Sequence, residues 1–272
     1  MPVSTSLFDL SGKVVLITGG GTGIGKAIAG AMLAHGAKVL IGGRRSDVIE
    51  RSVQELGAIQ IKDSDEPAVA GVALDVTKHE SVDRAVRKAV DVLGGLHITV
   101  HAAGVLAKLP TIDLTAETMN ELYDLHVTGA LRVAQAAQPI FHEQHDGSII
   151  HIASVSSYAA LTQVTSYAAA KAAVLGLTRQ LATEWAAHGI RTNAIAPGFI
   201  PTDINREAIE GTDRGRRIIE NTPMARFGRA EEIAGAAVYL ASPAGSFVNG
   251  HTVVVDGGFL ANGVGESVAE WE

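Results

Sequence analysis

The chain has 272 residues, 47% of them hydrophobic and 4% aromatic, with a formal net charge of −7 and no cysteine. The acidic balance and the scarcity of rings argue against nucleic acid as the main partner, and the lack of cysteine excludes disulfide and thiolate chemistry. Apolar runs such as Val253-Val254-Val255 are strand-sized, far short of the ~18 residues of a membrane span. Met1 to Ser11 contains no basic segment followed by an apolar stretch, so no export signal is read and a cytoplasmic location is expected.

Taken in chain order, β-branched apolar runs at 13–18, 37–41, 71–74, 97–101, 148–152, 191–195 and 252–255 read as buried strands. Helical spacing separates them. Ile24, Ile28 and Met32 recur every fourth residue, as do Val82, Val86 and Val90, and Thr77 with Glu80 has capping-box spacing before the second set. Strands alternating with crossover helices predict one doubly wound α/β unit: a parallel seven-stranded sheet with helices on both faces, Rossmann-like, over residues 1–272. Two stretches break the rhythm. Residues 61–70 are charged, contain Pro67 and read as a surface loop. Residues 203–229 follow the carboxyl end of a strand, where a long excursion would cover a ligand. The basic cluster Arg214, Arg216 and Arg217 within it reads as a solvated helix face.

The first strand runs through Thr18-Gly-Gly-Gly-Thr22-Gly23-Ile24-Gly25 straight into a helix. Glycine there gives a tight turn and lets backbone approach a pyrophosphate, while the helix N-terminus offers unpaired N–H groups. Gly19, Thr22, Gly23, Ile24 and Gly25 are therefore candidate cofactor residues. About 20 residues on, where a carboxylate would hold the 2′-hydroxyl of NAD, the chain reads Gly42-Gly43-Arg44-Arg45. Two guanidinium groups and no acid point to a 2′-phosphate, hence NADP(H) in preference to NAD(H). Asp75, beside Val76, is a candidate for the adenine amino group, or else a turn residue before Thr77.

Tyr167 and Lys171 stand four apart in a strongly helical run, on one face. A phenol with a pKa of about 10 is a poor base at neutral pH, and a neighbouring ammonium with an oxidised nicotinamide ring would lower it. Ser154, at the carboxyl end of the fifth strand, can hydrogen-bond a substrate oxygen. His142 and His145 lie close together beside Asp146, but no third ligand has recognisable spacing, so no metal site is expected.

With those residues in view, the chain resembles the short-chain dehydrogenases/reductases of the TGxxxGxG and YxxxK type. The likeness runs from Leu10 to about Leu260 through Thr18–Gly25, Asp75, Ala102-Ala103-Gly104, Ser154, Tyr167, Lys171, Asn193, Pro197-Gly198, Ile200, Thr202 and Val255-Asp256-Gly257-Gly258. The resemblance implies that Ser154 positions the reacting oxygen, Tyr167 gives or takes the proton, and Lys171 holds the nicotinamide ribose and tunes Tyr167. It adds Val76, Ala102, Gly104, Tyr167, Lys171, Pro197, Gly198, Ile200 and Thr202 to the cofactor residues, and implies a homotetramer. Two departures stand out. His101 precedes Ala102-Ala103-Gly104 where the family has an asparagine. His126 replaces the asparagine of the proton relay, whose family role is chiefly that of a backbone carbonyl. The relay is expected to survive, with the imidazole either adding a pH-dependent step near its own pKa or packing near the site without chemistry.

Residues expected to choose the substrate are Val105, Leu106, Ser156, Tyr158 and the 203–229 segment. Asn221–Gly228 with Val255–Phe259 looks most like sugar-acid and polyol dehydrogenases of the gluconate 5-dehydrogenase kind. The glycine turn is shared with enoyl-CoA reductases and the other motifs with 3-oxoacyl-thioester reductases. The reading is an alcohol/ketone oxidoreductase on a small sugar acid or polyol; a non-catalytic NADP(H)-binding regulator is the alternative of another class.

Overall fold

A computed structural model describes residues 5–59, 68–203 and 205–263. Its strands are β1 (Val14–Thr18), β2 (Lys38–Gly43), β3 (Val69–Ala73), β4 (Ile98–His101), β5 (Gly147–Ile152), β6 (Ile190–Pro197) and β7 (Thr252–Val255). All pair in parallel in one sheet of order β3-β2-β1-β4-β5-β6-β7, with Thr18 opposite His101 and His101 opposite His151. The chain order reverses direction between β1 and β4, which leaves a crevice beyond their carboxyl ends.

Alternation along each strand divides the core into two layers. Val15 and Ile17 face one side, packing with Ile28 and Met32 of α1 (Gly23–Ala34), Ile49 of α2 (Ser46–Leu56) and Ile233 of the last long helix, Ala230–Ala241. Val14 and Leu16 face the other, with Val82 and Val86 of α3 (His79–Leu93). Phe141 of α5 (Gly129–Gln144) and Leu181 of α6 (Thr165–Trp185) complete that second layer. The short α4 (Ala116–Tyr123) is joined to α5 by a π-turn at Asp124–Thr128.

The seven expected strands are all present, with shifted ends. The capping box is not formed. Thr77 gives both its backbone N–H and its hydroxyl to Asp75 Oδ1, at 3.0 and 2.8 Å, and the helix starts at His79 with Lys78 at its N-cap. A side-chain turn has captured the residue that would have capped the helix. Of the loop expected at 61–70, residues 61–67 lie outside the described residues, and Val69 and Ala70 already belong to β3. The 203–229 excursion carries two short helices, α7 (Arg206–Ile209) and α8 (Asp213–Glu220), the latter capped by Thr212 Oγ1 accepting from Gly215 N–H. The Ala230–Ala241 helix is α9.

Candidate active site

Beyond β1 the chain turns so tightly that a Cβ on Gly25 would lie 2.3 Å from the Gly19 oxygen. Gly19 has a φ of +68°, a left-handed conformation that favours glycine. Thr22 precedes α1 without a side-chain cap, and the first turn of α1 holds no acid. The first N–H groups of the helix are thus free to receive an anion, and the cradle suits a pyrophosphate.

Arg44 and Arg45 are exposed at the end of β2. Burial works to raise the Asp75 carboxyl, but hydrogen bonds from Thr77 and the charge of Arg44 outweigh it and hold the group below its ordinary value. Asp75 thus serves the turn reading and lies within the field of Arg44.

Ser154 sits just past β5, where its oxygen accepts the Ser156 N–H at 3.1 Å, leaving the hydroxyl hydrogen for another partner. Ser154 also acts on the Tyr167 phenol, working to lower it. Lys171 is 5% exposed; its Nζ donates to the Ile152 carbonyl at 2.5 Å and lies 5.6 Å from the centre of the Tyr167 ring. Burial brings the ammonium down to about 7. Burial also raises the Tyr167 phenol above its usual value, with the Ser154 bond working against it. Lys171, its Nζ turned to a backbone carbonyl, does not lower the phenol in the chain alone; the expected lowering also calls on an oxidised nicotinamide ring.

His126 lies in the π-turn, 1% exposed, its ring edge-on to Tyr167 at 5.4 Å, with Nε2 3.0 Å from the Val105 carbonyl. Burial, and then the charge of Lys171, push it down to about 3. This lowering works against the expected pH-dependent step near an ordinary imidazole pKa.

One cavity of about 240 Å³ gathers most of the expected residues. Gly19, Thr22, Gly23, Ile24 and Gly25 line one end, Ser154, Tyr167, Lys171 and His126 the other, and Ala102, Gly104, Pro197, Gly198, Ile200 and Thr202 lie along the same wall. Arg44, Arg45, Asp75 and Val76 are not part of this lining; Val76 is buried against Gly129. Val105 and Leu106 line the cavity, whereas Ser156 is buried away from it and Tyr158 faces solvent. Arg214 corrects the sequence reading. Arg216 pairs with Asp213 on the outside of α8, but Arg214 enters the cavity wall, together with Lys108 and Asp203. Nothing in the helical spacing distinguished Arg214 from its neighbours. Elsewhere, His142 packs against His145 and His188, and among the described residues no group of three or more His, Cys, Asp or Glu is placed to hold a metal ion.

Residues 19–260 match the family model described as enoyl-(acyl carrier protein) reductase. The chain belongs to the short-chain dehydrogenase/reductase family. It is 34% identical to the 2-dehydro-3-deoxy-D-gluconate 5-dehydrogenase of Formosa agariphila, over 95% of this chain and 97% of that one. It is 35% identical to the 5-keto-D-gluconate 5-reductase of Escherichia coli K12, over 93% and 98%. The crystal structure of a Burkholderia cenocepacia gluconate 5-dehydrogenase in complex with NADP and tartrate superposes with a TM-score of 0.85 at 32% identity, covering 94% of this chain and 98% of that one. As a short-chain dehydrogenase/reductase, the protein is an enzyme, an oxidoreductase working between CH–OH and C=O. Together with the assembled Ser154, Tyr167 and Lys171, this speaks against the binding-only alternative. Among the described residues no helix is long and apolar enough to cross a membrane.

The low value of Lys171 has a consequence for stability. Between about pH 7 and 10.5 the unfolded chain keeps a proton on this lysine that the folded chain has lost, so stability rises with pH across that window. The unfolding free energies of the wild type and Lys171→Met, measured by urea denaturation from pH 6 to 11, are expected to diverge in the wild type's favour as pH rises. A difference that stays constant with pH would place Lys171 at its ordinary value.

Proposed function

We propose that the protein is an NADP(H)-dependent dehydrogenase/reductase that interconverts a secondary alcohol and a ketone on a small sugar acid. Two unpaired cations at the cavity carry the substrate reading. Lys108 and Arg214 line it without an ion-pair partner among the described residues, and Asp203 is the one carboxylate on the lining. Charge-assisted hydrogen bonds from such groups favour a substrate carboxylate, and a guanidinium does so in bidentate fashion. The sugar-acid names of the relatives agree with that charge. A thioester substrate is the second reading, on the description of the matching family model.

A bound nicotinamide ring supplies or accepts the hydride. The glycine turn and the uncapped start of α1 would hold its pyrophosphate, with Arg44 and Arg45 at the 2′-phosphate. Ser154, its oxygen fixed by Ser156 N–H, directs its hydroxyl hydrogen to the substrate oxygen. Tyr167 donates the proton to that oxygen in reduction and takes it in oxidation, and Lys171 supplies the local positive charge. Residues 203–229 cover the substrate, and the catalytic unit spans 1–272. The proposal includes a cytoplasmic homotetramer; Phe247 and Ile112, wholly and 92% exposed in the single chain, are apolar side chains a subunit contact would cover.

A panel of 5-ketogluconate, neutral ketoses and 3-oxoacyl thioesters with NADPH tests the substrate class. Turnover of the keto-acid is expected, with a KM that rises about 10- to 100-fold in Arg214→Leu, as befits one lost charged hydrogen bond. Preference for a neutral ketose or a thioester would end the sugar-acid reading. Cofactor choice has a separate check by titration: replacing Arg44 and Arg45 with alanine is expected to weaken NADPH by about 100-fold and NADH little. Equal losses would remove the 2′-phosphate argument.

A further inference from the structure

A glycine stands inside α8 where helix rules would not put one. Helices α7 and α8 are joined by Glu210-Gly211-Thr212, and Gly215 is the third residue of the second helix. Glycine is the poorest interior helix former after proline, so its place in so short a helix calls for a packing reason. The end of α7 supplies it. A Cβ on Gly215 would lie 1.7 Å from the Ile209 carbonyl oxygen and 3.3 Å from the Phe227 ring. The first distance is less than half of an ordinary van der Waals separation of ~3.5 Å. The corner is tied as well as closed. Gly211 turns the chain at a φ of +70°, and the Thr212 hydroxyl lies 3.1 Å from the Ile209 carbonyl while accepting the Gly215 N–H at 3.1 Å.

Bare backbone at Gly215 therefore meets α7, and this contact orders the faces of α8. Gly215 and Ile218 are buried, Arg214 is half-buried, and Asp213, Arg216, Arg217 and Glu220 are exposed. Arg214 stands next to Gly215 and in line with Ile218 four residues on, at the margin of the buried stripe. Ala208 and Ile209 of α7 belong to the cavity wall that also holds Arg214 and Lys108. With α8 seated on Ile209, Arg214 continues a wall that α7 begins.

We propose, on the sugar-acid reading of this cavity, that Gly215 is a specificity-determining position: its missing side chain lets α8 close onto α7, and that closure delivers Arg214 to the substrate carboxylate. Gly215 touches no reacting atom and is a positioning residue that acts through Arg214. A guanidinium holds a carboxylate through two parallel hydrogen bonds of fixed geometry, so a displacement of ~1 Å is felt. Any side chain at position 215 has to lift α8 off the Ile209 carbonyl by about that much, because close-packed backbone gives little. Ser154, Tyr167 and Lys171 are carried by β5 and α6 and do not depend on α8. A Cβ at 215 thus leaves the reacting end intact and withdraws the anion anchor. Lys108, on the segment after β4, still faces the cavity, so the loss is partial and preference moves from acidic toward neutral ketoses.

Two readings on Gly215→Ala test this. D-gluconate is titrated by calorimetry into the protein saturated with NADPH, where no hydride can pass, and KM and kcat are measured for 5-ketogluconate. Gluconate affinity is expected to weaken and KM to rise by about 10-fold, as befits one weakened charged hydrogen bond, with kcat unchanged. A merely structural defect would lower the active fraction, hence kcat, and leave KM alone. Gly215→Ala added to Arg214→Leu is expected to cost nothing further, because both act through one contact. Unchanged gluconate affinity in folded Gly215→Ala, or losses that add in the double variant, would overturn the proposal. If Gly215→Ala does not fold, Thr212→Val loosens the same corner without adding bulk; a several-fold loss of gluconate affinity is then expected, and unchanged affinity would overturn the proposal. Arg214→Leu alone separates the two levels. Gluconate affinity that is absent in the wild type, or untouched in Arg214→Leu, would sink the sugar-acid reading and this proposal with it; a loss in Arg214→Leu but none in Gly215→Ala would sink the role of Gly215 alone.

Discussion

The site depends on an ammonium group buried at the carboxyl end of β5. Lys171 Nζ is held by the Ile152 carbonyl, a backbone acceptor that exists only because β5 ends there and α6 packs alongside. Burying a charge with one hydrogen bond is unfavourable, which is why the group falls to about 7. The same burial keeps the Tyr167 phenol protonated. The resting site is therefore poised with a neutral phenol and a lysine able to exchange a proton near neutrality, the condition that acid–base chemistry between alcohol and ketone requires.

The sheet topology places everything else around that point. Because strand order reverses between β1 and β4, the glycine turn, the Ala102–Gly104 segment and Ser154 open onto one crevice, and the 203–229 excursion supplies its far wall. An extended cofactor lying along it would meet unpaired helix N–H groups at one end and Tyr167 at the other. Arg44 and Arg45 stand outside this cavity at the end of β2. On the proposed reading, a substrate carboxylate would lie toward Arg214 and Lys108.

Much of this was legible in the chain because it rests on local rules. Buried parallel strands read as continuous β-branched runs, and a strand–glycine–helix passage marks the phosphate turn whatever follows it. Where two local rules competed, the sequence was ambiguous: Thr77 had the spacing of a cap, yet Asp75 two residues earlier captured it. Tertiary facts were out of reach. Arg214 and Arg216 are indistinguishable on paper, and only the seating of α8 turns one inward. Tyr158 looked like a substrate contact from its nearness to Ser154, but the short turn at Val155–Ser157 carries it outward.

The central claim is that Tyr167 transfers the proton. Stopped-flow measurement of NADPH affinity and turnover in Tyr167→Phe tests it most directly. The account predicts affinity within a few-fold of the wild type and turnover reduced by about 100-fold or more, the usual contribution of a positioned acid/base group. Turnover near the wild-type rate, with the ring's hydroxyl gone, would contradict it.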